Sequence, residues 1–203
     1  QGRNAIIVNS IWLRLTHTSD GAGSLNKFGS SILFLSASNT YTGGTVVNAG
    51  TLALTGNGSI AKTASINLLS GTTLDVTGVP AGELTLSAGQ TLLGNGSVLG
   101  SVRVNPGSTL SPGASIGALT ITNELTLLGT ASFELNQSTH TNDVVRGAMT
   151  IHYGGTLSLT NLAGTLSSID SFKLFSASNY DGAFNAVAPA IPAAPTCRHG
   201  SHS

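Results

Sequence analysis

One short phrase, a glycine corner followed by Thr-Leu and an alternating strand, recurs along this chain and limits what it can fold into more than any other feature. It reads NAGTLAL from Asn48, LSGTTLDV from Leu69, SAGQTLLG from Ser87, NPGSTLSPG from Asn105 and YGGTLSLT from Tyr153. The first four starts lie about 18 to 21 residues apart. Self-similarity at a fixed period of this size marks an architecture built by stacking one unit on the next.

The segments between corners alternate apolar and polar residues with period two, as half-buried strands require. They include TLAL (51–54), SINLL (65–69), TTLDV (72–76), ELTLS (83–87), SVRV (101–104), ALTIT (118–122), ELTLL (124–128), ASFEL (131–135), GTLSLT (155–160) and FKLFS (172–176). The corners, such as TGNGS (55–59), LGNGS (93–97) and SPGAS (111–115), carry the Gly, Asn and Pro that sharp turns demand. No segment of similar length shows a capped 3.6-residue stripe.

Short strands with short corners fit either an antiparallel sandwich or barrel of hairpins or a parallel β-solenoid. The recurrence favours the solenoid, because each coil then meets the same corner at the same place, whereas a sandwich has no reason to repeat its turns. The chain is therefore read as all-β, a parallel β-helix with coils of about 20 residues. Ser, Thr and Asn suit such stacking, since like side chains form ladders from coil to coil.

Composition narrows the function. Charged residues make up only 8% of the 203 residues, and eight basic side chains balance eight acidic ones. Without a basic stripe to follow a phosphate backbone, nucleic acid is not an expected partner. No run reaches the roughly 20 apolar residues of a membrane helix; the longest, Ala5 to Leu15, is broken by Asn9, Ser10 and Arg14. A single cysteine, Cys197, leaves no intrachain disulfide. The absence of an initiator Met is read as a targeting signal lying upstream or removed.

The stretch from Gly23 to Leu54, GSLNKFGSSILFLSASNTYTGGTVVNAGTLAL, closely resembles the autotransporter-associated β-strand repeat, also called the passenger-associated transport repeat. The residues that carry the resemblance are Lys27, Gly29, Leu33, Leu35, Asn39 to Thr45, Val47, Ala49, Gly50, Thr51 and Leu52. Phe28, Ser31 and Ser38 depart from it, standing where the family has Thr, Gly and Gly, and Phe28 is expected to pack at the coil edge. Gly94 to Leu119 and Phe133 to Phe184 are similar to the sections that follow such repeats.

The resemblance implies a right-handed parallel β-helix exported to the bacterial surface, acting as a stalk or passenger without enzymatic activity and joined in the full-length protein to an outer-membrane translocator barrel. Residues 1–22 are expected to form a partial coil, residues 23–187 the β-helix, and residues 188–203 an unstructured Ala/Pro-rich tail, read as a truncated end, an altered frame or a cloning remnant. Within the signature, Asn39, Gly43, Gly44 and Gly50 are expected to set corners, and Val47, Leu52 and Leu54 to fill the coil. No catalytic, cofactor or metal site is expected.

Several constellations nonetheless have chemical readings. The carboxylates Asp20, Asp75, Glu83, Glu124, Glu134, Asp143, Asp170 and Asp181 are scattered, but Glu124 and Glu134 lie on neighbouring strand runs, where a pair would do general acid–base chemistry on a polysaccharide. The segment Ser138 to Gly147, with His140, Asn142, Asp143 and Arg146 and with His152 behind it, reads either as a His-Asp general base or as a polar loop, and the resemblance favours the loop. Cys197, His199 and His202 have a spacing able to hold a soft metal, though an unstructured tail is the simpler reading. Asn57, Asn95 and Asn136 begin N-x-S triplets that serve as corners. If the chain were an adhesin, flat Thr/Asn/Ser faces and the tyrosines Tyr41, Tyr153 and Tyr180 would contact glycans or other surfaces. Unpaired strand edges at the ends of a solenoid would also permit end-to-end self-association.

Overall fold

A computed structural model of the chain describes residues 5–8, 13–15 and 21–189, and every regular element among them is a strand. Nearly all pairings are parallel and join a strand to its counterpart one coil later. One ten-stranded sheet stacks Ala5–Val8, Ser24–Lys27, Thr45–Val47, Ser65–Leu68, Thr91–Gly94, Thr109–Pro112, Thr130–Asn136, Thr156–Asn161 and Ala186–Ala188. Its tenth strand, Thr141–Asn142, folds back antiparallel on Thr130–Asn136. This is the first face of a parallel β-solenoid.

An eleven-stranded sheet makes the other two faces. The second face stacks Leu13–Leu15, Ile32–Leu35, Thr51–Thr55, Thr73–Gly78, Ser97–Leu99 and Ala118–Ile121; the third stacks Glu83–Leu86, Ser101–Val104 and Glu124–Leu127. The ten-residue strand Val144–Tyr153 unites them: its start lies on Ala118–Ile121 and its later part on Glu124–Leu127. The next coil's strand, Phe175–Gly182, pairs along Val144–Tyr153 with a register break between Arg146 and Ala148, at Gly147. There the sheet turns the corner without ending.

The core is a set of columns. Leu25, Thr45, Ile66, Leu92, Leu110, Ala131 and Leu157 are successive register partners pointing inward from the first face. Leu33, Leu52, Leu74, Val98 and Ile121 do the same on the second, and Leu84, Val102, Leu125 and Ile151 on the third. All of these except Leu157 are buried. Each buried aliphatic side chain contributes about 1.5 to 3 kcal/mol. At the last described coils the columns give way to aromatics: Phe175 packs edge-on against Phe133 at 4.9 Å and Tyr153 at 5.3 Å, and Phe184 lies 4.9 Å from Tyr153.

The recurring phrase does not occupy one place in every coil, as the sequence suggests it should. Thr51 and Thr73 are partners on the second face, whereas Thr91 and Thr109, then Thr130 and Thr156, are partners on the first. The corner is a local device, a glycine with positive φ (Gly50, Gly71, Gly89, Gly107, Gly155) feeding Thr and an apolar residue, so it serves at either corner of the coil. Coil length varies accordingly: 18 residues separate Thr91 from Thr109, and 30 separate Val145 from Phe175.

Candidate functional site

The segment carrying the resemblance buries several polar side chains, among them Lys27, Asn39 and Thr45. Lys27 ends the strand Ser24–Lys27 facing inward, 1% exposed and in register with Val47. Its ammonium donates to the carbonyls of Phe28 (2.9 Å), Gly29 (2.6 Å) and, one coil on, Ala49 (3.0 Å). All three lysine donors are thereby used. Burial pushes this ammonium below the usual lysine range.

Asn39 lies in the connection between Ile32–Leu35 and Thr45–Val47, buried, its amide donating to the carbonyls of Ala37 (2.8 Å) and Ser59 (3.2 Å). Tyr41 points into the coil at 4% exposure, so it is not available as a contact residue. Its hydroxyl lies 2.6 Å from Oγ1 of Thr45, which donates to Oγ1 of Thr63 (3.3 Å), and Thr63 donates to the carbonyls of Gly43 and Ser65. This chain explains a buried threonine in a column of otherwise aliphatic side chains. Burial pushes the Tyr41 phenol up to about 12, against the opposing pull of the Thr45 hydrogen bond.

Two glycines of the segment are fixed by space. A Cβ on Gly43 would stand 2.3 Å from the carbonyl oxygen of Gly23, and one on Gly50 would stand 2.5 Å from that of Ser31. Phe28 lies 39% exposed at the corner, and Val47, Leu52 and Leu54 fill the interior.

Downstream, the corner SPGASIG (111–117) is held between coils. Ala118 N donates to Oδ1 of Asn95 in the coil before (3.0 Å), and Gly117 N donates to Oδ1 of Asp143 in the coil after (2.8 Å). Oδ2 of Asp143 accepts from Glu134 N (2.7 Å). Asp143 is thus a buried corner pin whose carboxyl burial pushes upward, with the backbone N–H groups of Glu134 and Gly117 pulling it back.

The segment Ser138 to Gly147 is a loop only in part, since its second half enters the strand Val144–Tyr153. Asn142 donates to the carbonyls of Asp143 and Lys173, and Arg146 donates to Oγ1 of Thr120. His140 occupies a turn with positive φ, and the carboxylate that His152 meets is Asp181, not Asp143: Nδ1 of His152 lies 2.8 Å from both carboxylate oxygens of Asp181. This pair bridges register partners on the outer third face, beside Thr126. Glu83 and Arg103 form a second, half-buried pair there at 3.4 Å. Neither pair was legible in the sequence, because each joins residues a coil apart.

Glu124 and Glu134 point outward from different sheets and do not form a pair. Cys197, His199 and His202 lie outside the described residues, and among the described residues no three His, Cys, Asp or Glu side chains group as metal ligands. Asn136 accepts from Thr139 N at 3.2 Å, and Asn57 lies exposed in a turn. Tyr153 is half-buried in the aromatic group, stacked on Tyr180 at 6.1 Å, and Tyr180 is 47% exposed.

The outer first face presents a ladder of hydroxyls. Ser65, Thr91, Thr109, Thr130 and Thr156 are successive partners over five coils without a register break. Two residues along each strand lies a second rank, Asn67, Leu93, Ser111, Ser132 and Ser158.

No curated protein matches the chain. A family model does: the passenger-associated-transport-repeat matches residues 25–54, the stretch that contains Lys27, Asn39, Tyr41, Gly43, Thr45 and Gly50. Over residues 25–54 the chain therefore carries a passenger-associated transport repeat, the repeat found in autotransporter passengers.

Proposed function

We propose that this chain is a non-enzymatic stalk segment of an autotransporter passenger, carried outside the bacterial cell and joined in the full-length protein to an outer-membrane translocator. What supports this reading is where the repeat's polar groups go. Lys27, Asn39, Tyr41, Thr45 and Thr63 are spent on hydrogen bonds within and between coils, which is the chemistry of a scaffold and leaves none of them to a substrate. The test is to fuse the chain between an N-terminal epitope and a translocator barrel. The epitope is expected on intact cells, with display falling when the Lys27 corner is disrupted. Retention of the epitope inside the cell, or release of sugar from polysaccharides by the purified chain, overturns the reading.

The hydroxyl ladder favours a second reading, an adhesin-type module that binds glycans or surfaces through its first face. A neutral array at the strand spacing of about 4.8 Å suits an uncharged, repetitive ligand. Binding of the purified chain to glycan arrays or to cellulose and silica particles, lost in Thr109→Arg and Thr130→Arg, is the expected result. Binding unchanged by both substitutions counts against it.

A further inference from the structure

The third face starts abruptly. Preceding coils close that side through bends, including residues 56–64, so Glu83–Leu86 is its first strand, paired only with Ser101–Val104. Ser101 N donates to Gly82 O at 2.9 Å, which sets the phase of the ladder. Residues 82, 84 and 86 bond to Ser101–Val104, and the N–H and C=O groups of Glu83 and Thr85 point to the other edge.

Among the described residues, no backbone group bonds to that edge. Ser87, next in phase, has its N–H taken by Oε1 of Gln90 (2.8 Å), which closes the far end. Beside the open part lies a depression of about 160 Å³ lined by Leu54, Ser59, Ile60, Leu84, Thr85 and Gln90. A cavity near this size holds a benzene ring, and hence one compact aliphatic side chain. Coils stand on both sides of this ledge, so its open edge is not an end of the rod.

We propose that the ledge is a strand-acceptor site, taking a short extended segment of another polypeptide onto Glu83–Thr85. Strand addition draws affinity from the main-chain groups and specificity from alternate side chains. The pattern that fits is the one this strand already accepts on its closed side, SVRV (101–104): aliphatic residues facing inward, here over Ile60 and Leu54, and a basic or hydroxyl side chain outward beside the Glu83 carboxylate, as Arg103 is placed now.

The probe is a capped hexapeptide, GSVRVN, titrated to millimolar concentration into the full chain while backbone amide exchange is followed. The Glu83 and Thr85 amides are expected to exchange at least tenfold more slowly with peptide, those of Leu84 and Leu86 unchanged. Thr85→Pro removes an N–H the chain's own sheet does not use, and proline is tolerated on edge strands; it is expected to weaken binding at least tenfold. Peptides N-methylated on alternate amides give the same test on the unaltered protein, with one phase binding and the other not. Unchanged Glu83 and Thr85 exchange, equal binding by both methylated series, or protection confined to Phe175–Gly182 would overturn the proposal.

Discussion

The hydroxyl of Tyr41 lies 2.6 Å from Oγ1 of Thr45, with both side chains buried inside the coil. Because burial raises the Tyr41 pKa from 10.0 to about 12, the folded chain keeps a proton between those values that the unfolded chain releases. Stability is therefore expected to fall as pH rises through that window and to be unaffected by this group below it. Two pKa units correspond to about 2 to 3 kcal/mol. Tyr153, half-buried and also pushed up to about 12, acts in the same direction. Urea unfolding at pH 9 and pH 11.5 should show the loss, and Tyr41→Phe should shrink it while costing about 1 kcal/mol at neutral pH.

Lys27→Met removes the donor shared by three carbonyls and leaves the aliphatic stem in place. Buried acceptors without a partner cost about 1 to 3 kcal/mol each, and relaxation at a corner recovers part of that. The expected cost is about 2 to 4 kcal/mol. Stability in a solenoid is nearly a sum over coils and their interfaces, so hydrogen exchange should rise around residues 24–50 and remain unchanged beyond Thr109.

Gly50 and Gly71 sit at equivalent corners of consecutive coils, both with positive φ. A side chain at Gly71 meets nothing within 4 Å, whereas one at Gly50 meets the carbonyl oxygens of Ser31 and Gly29 at 2.5 and 2.6 Å. Gly71→Ala should cost only the backbone penalty of about 1 to 2 kcal/mol. Gly50→Ala must in addition push two coils apart, so its denaturation midpoint should fall well below that of Gly71→Ala.

The strands and corners were legible in the sequence because period-two alternation and glycine corners are local signals. What escaped it depends on neighbours a coil away. FKLFS was expected as a strand, yet the strand begins at Phe175, which packs on Phe133 and Tyr153. Val144–Tyr153 hid because its break at Gly147 shifts the alternation halfway along. The recurring phrase pointed to the solenoid, although its equal spacing concealed a move from the second face to the first. The ledge at Glu83 arises where coils of different width meet, and no local pattern records that.

Asp143 offers the sharpest contrast between an apparent catalytic motif and a structural one. In sequence it stands three residues from His140 and Arg146; in the fold its carboxylate accepts from Gly117 N at 2.8 Å and Glu134 N at 2.7 Å. Asp143→Ala would orphan two N–H groups at a buried corner, a loss of about 2 to 4 kcal/mol. Asp143→Asn keeps one acceptor oxygen but turns an N–H₂ toward the second N–H, so it should recover only part of that loss. A catalytic carboxylate would instead leave stability nearly unchanged in Asp143→Asn. Chemical denaturation of the two variants beside His140→Ala, whose side chain does not meet Asp143 and which should stay within about 0.5 kcal/mol of the parent, decides between the two roles.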